Sequence, residues 1–280
     1  MTGLRHRFSE RGVSESIGFI LIFSIMIAGI GLVTLYGYPM LMQQQSNANE
    51  QIMEKNMIVL QNDVKSLVYK TVPYKESSLN VGGGALTVYN TSFTPAIFTI
   101  NITDCGSPPT YYGTPFTSGD LRYSSNSAGT DISLQNGAVV LRPQVPAGSV
   151  NGSAMLAQPR WFYDNQTNTL VINLMSFNST NLMSLAGIGT VGTALGVPNY
   201  TYANIPAGAN SLCVAYTPYT GQDYSVAWDN YFMNTLNNPP DISVSRSGIP
   251  GTGSALTYKL TISRPLILVV KKYDVVVKSL

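Results

Sequence analysis

VSESIGFILIFSIMIAGIGLVTLYGYP, residues Val13 to Pro39, governs the interpretation of everything around it. From Ile17 to Tyr38 there is no charged side chain. About 20 apolar residues at a rise of about 1.5 Å match a bilayer's hydrocarbon thickness of about 30 Å, so the stretch has the length and composition of a membrane-spanning helix. Ser14 or Ser16 is placed to cap that helix, and Glu15 would sit near its positive end. Gly29, Gly31, Gly37 and Pro39 mark places where the helix can bend or unwind locally.

On the N-terminal side lies MTGLRHRFSERG, with Arg5, Arg7 and Arg11. The chain of 280 residues has a formal charge of +2, from 16 basic and 14 acidic residues; without the first twelve it holds 13 of each. The positive excess therefore resides in the leader, which the positive-inside rule keeps in the cytoplasm. Charged residues are 11% of the sequence, against roughly 25% in ordinary soluble proteins. A surface polar through hydroxyls and amides fits an exported protein. No basic stripe is available to neutralise phosphates, which disfavours a nucleic-acid partner. The apolar run is longer than a secretory signal core and lacks a small-residue peptidase site at its exit. Two alternatives stay open: an uncut signal anchor, or cleavage before the apolar run, where Arg11-Gly12 puts a small residue between a basic leader and a helix start.

On the C-terminal side, Met40 to Lys70 continues as helix. Met53, Met57, Leu60, Val64 and Leu67 form a narrow seam, which Ile52 and Val59 widen. That seam packs either on the chain's own β-domain or on the same helix of neighbouring subunits. From Val72 onward, short β-branched and aromatic runs between Gly, Pro and Asn predict antiparallel sheet. The expected strands are 79–90, 96–103, 138–145, 161–164, 169–177, 211–216, 242–246, 255–263 and 266–278. Gly82-Gly83-Gly84 reads as a strand kink or turn. Tyr224, Trp228, Phe232 and Leu236 give 221–238 a helical period, with Trp228 buried. The stretches 106–129 and 184–196 read as exposed, mobile loops. The fold class is α+β: a long hydrophobic N-terminal helix followed by a β-rich, mostly antiparallel head. Four segments result: a basic leader (1–12), a hydrophobic membrane helix (13–39), a helical stalk (40–71) and a β-rich head outside the membrane (72–280).

The run Arg11-Gly12-Val13-Ser14-Glu15-Ser16-Ile17-Gly18-Phe19-Ile20-Leu21, followed by an unbroken apolar helix, resembles the class III signal of archaeal type IV pilins and pilin-like surface proteins. The Gly37-Tyr38-Pro39 exit and the later Gly82-Gly83-Gly84-Ala85-Leu86 strand add to that likeness, which covers about the first 90 residues. The resemblance implies that a prepilin peptidase cuts between Gly12 and Val13. It implies also that Glu15, Ile17, Phe19, Leu21, Phe23 and Ile25 belong to a helix that leaves the bilayer and packs with other copies or other pilins. Bacterial pilins carry a glutamate at the fifth mature position; here the carboxylate is third, at Glu15, and Ile17 is fifth. The function so implied is that of a surface-filament subunit for adhesion, built by pilus assembly machinery and residing first in the cell membrane with its head outside. The alternative is a single-pass, membrane-anchored extracellular binding protein that does not polymerise.

Cys105 and Cys213 are the only cysteines. In an exported domain they point to one disulfide, worth about 4–5 kcal/mol as an upper figure in chain-entropy models; two separate buried thiols are the alternative. Asn90, Asn101, Asn151, Asn165, Asn178 and Asn199 each begin an N-x-Ser/Thr sequon and are candidate glycosylation sites. With 22 asparagines in the chain, roughly four such sequons arise by chance. Asn101 reads equally well as a sheet position. The sole histidine, His6, lies in the leader. A mature chain without histidine lacks the usual triad base and the commonest metal ligand. No zinc, calcium or phosphate-loop motif is present, so no metal, no cofactor and no catalytic residue is expected.

Overall fold

The computed structural model describes residues 10–70, 72–92, 96–102, 115–127, 129–144, 152–206, 212–219, 221–236 and 241–280, and for residues 10–15 the backbone alone. It has the expected α+β architecture. Two compact units meet in the chain between Ala48 and Asn49.

The first unit is helical. Helix α1 (Glu10–Leu32) passes through a five-residue π-helical segment, Val33–Gly37, into α2 (Tyr38–Tyr69). The widened turn sits directly before Pro39. Proline brings no N–H to an i→i−4 bond, and the Tyr38 N–H reaches back instead to the Val33 carbonyl, five residues away. The Thr34 hydroxyl donates to the Ile30 carbonyl at 2.8 Å.

The second unit contains two sheets. The larger runs in the order β7-β6-β5-β4-β1-β10-β15-β9-β8, with β11 also paired to β15. Its strands are β1 (Tyr74–Tyr89), β4 (Asp120–Ser125), β5 (Thr130–Gln135), β6 (Ala138–Pro143), β7 (Ala154–Ala157), β8 (Phe162–Asp164), β9 (Thr169–Ser179), β10 (Ser184–Leu195), β11 (Asn199–Ile205) and β15 (Leu266–Ser279). The smaller sheet runs β13-β14-β12-β2-β3, from β2 (Ile97–Asn101), β3 (Phe116–Thr117), β12 (Leu212–Thr217), β13 (Ile242–Ser247) and β14 (Leu256–Ile262). Pairing is antiparallel except between β15 and β9, which run parallel.

Strands β4, β5, β6 and β9 of the larger sheet are buried on both faces, which explains the near-continuous apolar run of β9. Along β9, Leu170, Ile172 and Leu174 enter one core while Met175 and Phe177 enter the other. In β15, Leu266, Leu268 and Val270 join the first core, and Tyr273, Val275 and Val277 join the second. The first core lies against the smaller sheet and against α3 (Ser225–Tyr231), which continues as a π-helical turn, Phe232–Leu236. Trp228 is fully buried there, and its ring meets Phe98 edge-on at 4.8 Å. The second core is closed by α2. Met53, Met57, Leu60, Val64 and Leu67 are all buried against β1, β4, β9, β10 and β15, so the seam packs on the chain's own sheet. Ile52 and Val59 do not widen it: they stay 46% and 53% exposed, because the contact face of α2 is only as wide as the 4-3-4-3 spacing. Polar flanks fix its register. Gln61 Nε2 donates to the carbonyls of Gly137 (2.7 Å) and Gln158 (3.0 Å), and Asn56 Nδ2 to that of Asn80 (3.0 Å).

Two stretches read as loops are strands. Residues 184–196 contain β10, an interior strand paired to β1 and β15. Its glycines erase the side-chain alternation, and Gly187 holds φ 81°, where a side chain would be strained. Within 106–129, residues 115–127 hold β3 and β4, while 106–114 and 128 lie outside the described residues. The Gly82-Gly83-Gly84 segment is a bulge inside β1, with the register shifting between Val81 and Leu86 and Gly83 at φ 69°.

Candidate functional site

The first candidate site is apolar surface on α1 that no described residue covers. Ile17, Phe19, Leu21, Phe23 and Ile25 of α1 are 54–71% exposed. So are their neighbours on every side of the helix, among them Ile20, Ile22, Met26, Ile27 and Ile30. Each such side chain left in water forgoes about 1.5–3 kcal/mol of burial, which over α1 amounts to tens of kcal/mol. An environment other than water is therefore required. Among the described residues a single helix, near the N-terminus, is long and apolar enough to cross a membrane, with a mean hydropathy of 2.5 in its best window. Phe19 and Phe23 stack along one side at 6.1 Å between ring centres. Around Gly29, Met26, Ile30, Val33 and Thr34 form an apolar notch, and an added Cβ at Gly29 or Gly31 would meet nothing. Gly12, Val13 and Glu15 have helical backbone in α1, and their side chains lie outside what is described.

The sequon asparagines fall into distinct groups. Asn90 and Asn178 face each other across the ends of β1 and β9. Asn90 Nδ2 donates to the Ser179 carbonyl at 2.9 Å, and its Oδ1 accepts from the Ser179 N–H (2.9 Å) and hydroxyl (2.8 Å). Asn178 Oδ1 accepts from the Thr91 hydroxyl (2.9 Å) and N–H (3.3 Å), while its Nδ2 donates to Asp274 Oδ1 at 2.7 Å. Each amide thus satisfies the backbone of the other's sequon, a clasp between two strands that do not pair there. Asn101 is a β2 sheet position whose Oδ1 is buried without a hydrogen-bond partner among the described residues. Asn165, in the β8–β9 turn, and Asn199, at the start of β11, are exposed. Asn151 lies outside the described residues. Cys213 is buried on β12 and disulfide-bonded; Cys105 lies outside the described residues.

A buried ionic network, absent from sequence reasoning, joins β4, β5 and β6. Arg122 Nε and Nη2 donate to Asp120, Ser133 Oγ donates to Asp120 Oδ2 at 2.7 Å, and Arg142 Nη2 pairs with Asp131 Oδ2 at 2.9 Å. Burial raises the Asp120 carboxyl above its ordinary range, against the pull of Arg122 and Ser133. For Arg122, burial acts to lower the guanidinium, but Asp120, Tyr224 and Tyr89 together outweigh it and the net direction is up. Beside this network, Gln135 Oε1 accepts from Trp228 Nε1–H at 3.0 Å and ties the larger sheet to α3. Each acid here is held by its arginine, so the chemistry supplied is electrostatic fixation of one layer against the next. The only sequence signal was an odd one: Asp, Arg and Gln at alternate positions of apolar strands.

Among comparisons with known proteins, the profile of a family described as "Family of unknown function (DUF7289)" matches residues 11–238. No curated protein and no solved structure matches the chain.

Proposed function

We propose that this chain, which belongs to the family of unknown function DUF7289, is a pilin-like subunit that polymerises through its N-terminal helix into a cell-surface filament. One observation carries the reading. The β unit closes both its cores with residues from Met53 onward, and α1 contributes to neither. A helix of that length, apolar on all sides, has two environments that bury it equally well: acyl chains, and a bundle of identical helices. Burial in one substitutes for burial in the other, so transfer between them needs only modest input. In this scheme the leader holds the unassembled protein with its basic end in the cytoplasm and the β unit outside. A prepilin peptidase cuts between Gly12 and Val13, and assembly machinery moves α1 from lipid into the bundle. The notch at Gly29 offers a neighbouring helix close approach. No catalytic step is assigned to the β unit, which forms the surface and the adhesive part of the filament.

The test is the N-terminal mass of the protein isolated from cells, with electron microscopy of sheared surface material. A chain beginning at Val13 and present in filaments is the expected result. A chain that still begins at Met1 and stays with the membrane fraction makes it an anchored extracellular binding protein instead.

A further inference from the structure

Arginine usage in the β unit has one exception. Among the described residues, Arg122, Arg142, Arg246 and Arg264 each meet an aspartate at 2.6–3.1 Å. Arg160 meets none, and instead lies 4.7 Å over the ring of Tyr69. It borders a groove of about 450 Å³ shared with Lys65 and Lys70 at the C-terminal end of α2, and with Asn62 and Ser66. That volume falls among small-molecule sites, which span about 300–1,000 Å³. No carboxylate lines it. Lys65 Nζ donates to the Gln158 carbonyl at 3.0 Å, a neutral partner. Burial first, and the Arg160 guanidinium second, pull the Lys65 ammonium below its ordinary value. Among the described residues, three cations thus converge without a counter-charge, in a chain only 11% charged, and a bound anion would relieve their mutual repulsion.

We propose that this groove binds the acidic group of a saccharide, a sugar ring bearing a carboxylate or sulfate. The Arg160 fork and the two ammonium groups would take the anion, and the Asn62 amide and Ser66 hydroxyl would serve ring hydroxyls. Nucleic acid fits less well. The cations form one compact cluster rather than a track along a backbone, and the face of Tyr69 that would stack a base is already covered by Arg160. The site goes beyond filament assembly and stands whether or not α1 polymerises.

The test uses the full chain in detergent micelles at about 0.15 M salt, with polygalacturonate as the probe, neutral dextran and duplex DNA as comparators, and free galacturonate as competitor. Polygalacturonate should bind, dextran should not, and free galacturonate at high concentration should compete, which places recognition in the groove rather than in bulk polymer charge. The K65Q/R160Q double variant should bind about tenfold more weakly, equivalent to about 1.4 kcal/mol. Lys70→Glu removes a cation whose side chain is exposed; it should weaken binding several-fold without moving the unfolding midpoint, so a folding defect in the double variant does not remove the test. Lys55→Gln, at an exposed position elsewhere on α2, should change nothing. Binding that survives Lys70→Glu and the double variant unchanged overturns the proposal. So does no binding at this salt, no competition by galacturonate, or duplex DNA binding as tightly as polygalacturonate.

Discussion

Replacing Asn178 by alanine should cost about 3 kcal/mol of stability, although the position looks from its sequon like a surface site. The change deletes three hydrogen bonds: from the Thr91 hydroxyl at 2.9 Å, from the Thr91 N–H at 3.3 Å, and to Asp274 Oδ1 at 2.7 Å. A neutral bond contributes about 0.5–1.5 kcal/mol net and a bond to a charged group about 1.5–3. The long Thr91 N–H contact belongs at the low end. Asp274 keeps the Ser176 hydroxyl at 2.8 Å, so its carboxylate is not stranded, and the sum stays near about 3 rather than about 5 kcal/mol. Urea unfolding of the full chain in micelles, followed by tryptophan fluorescence, reads the effect: Trp161 and Trp228 sit in the first core, away from the substitution. Asn178→Asp separates the contributions. It retains an acceptor for Thr91 but sets a second carboxylate against Asp274, so it should be at least as damaging near neutrality. Asn165→Ala, in an exposed turn, should stay within about 0.5 kcal/mol of wild type. If Asn178→Ala does the same, the clasp contributes nothing and the contrast among the asparagines is unfounded.

Leu60→Ala, at a fully buried position of the α2 seam, should lower stability by about 2–5 kcal/mol in the same urea titration, with the slope unchanged. Gly84→Ala should prevent β1 from pairing normally, since a Cβ there would collide with the Ser124 carbonyl and the Tyr123 ring; loss of amide exchange protection along β4 is the measurement. Burial raises the hydroxyls of Tyr69, Tyr224, Tyr231 and Tyr258 above their ordinary value in the fold. Unfolding returns them to about 10, so their contribution is intact below about pH 10 and is lost as pH rises beyond it, by about 1.4 kcal/mol per pH unit for each tyrosine; a flat unfolding midpoint between about pH 9 and about pH 11.5 would contradict this. Ile25→Arg places a charge where both lipid and a helix bundle exclude it, so immunoblots of sheared surface filaments should lack the variant while whole cells retain it.

What could be read from the sequence was whatever the physics repeats along it. The seam of α2 was legible because residues 53, 57, 60, 64 and 67 keep one face of a helix. Strand β9 was legible because burial on both faces leaves TLVINLMSF with almost no polar interruption, and β15 because LILVV is apolar and largely β-branched. Strand β10 carried no such signal, since glycine has no side chain to alternate, and its place is fixed by neighbours distant in sequence. Strand β5 was hidden by its buried Asp131, Ser133 and Gln135, tolerated only because Arg142, Asp120 and Trp228 meet them. Its one local clue is Asn136-Gly137, a two-residue turn with both residues at positive φ, at 48° and 74°, the usual closure of a tight hairpin. Of the candidate sites, the apolar helix was legible in full. Which sequons are tied into the fold was not, because a sequon's motif says nothing of what lies across the sheet.

The division at Ala48/Asn49 follows from composition within α2 itself. Before it, MLMQQQSNA offers apolar residues only at the start and no face that persists for two turns. After it, the buried apolar residues fall on one side, and the other side carries Glu54, Lys55, Asn62 and Asp63, with Ile52 and Val59 left exposed among them. Asp63 accepts from Ser77 Oγ at 2.6 Å and pairs with Lys75 at 2.9 Å, so even the polar flank is committed to the sheet. Nothing comparable exists in α1, where Ile, Leu, Phe and Met occur at every angle and no polar flank sets an orientation. A helix that must fit one partner needs one distinct face and side chains that specify register. If α1 leaves lipid for a bundle of its own kind, as proposed above, it needs neither, and is better without them.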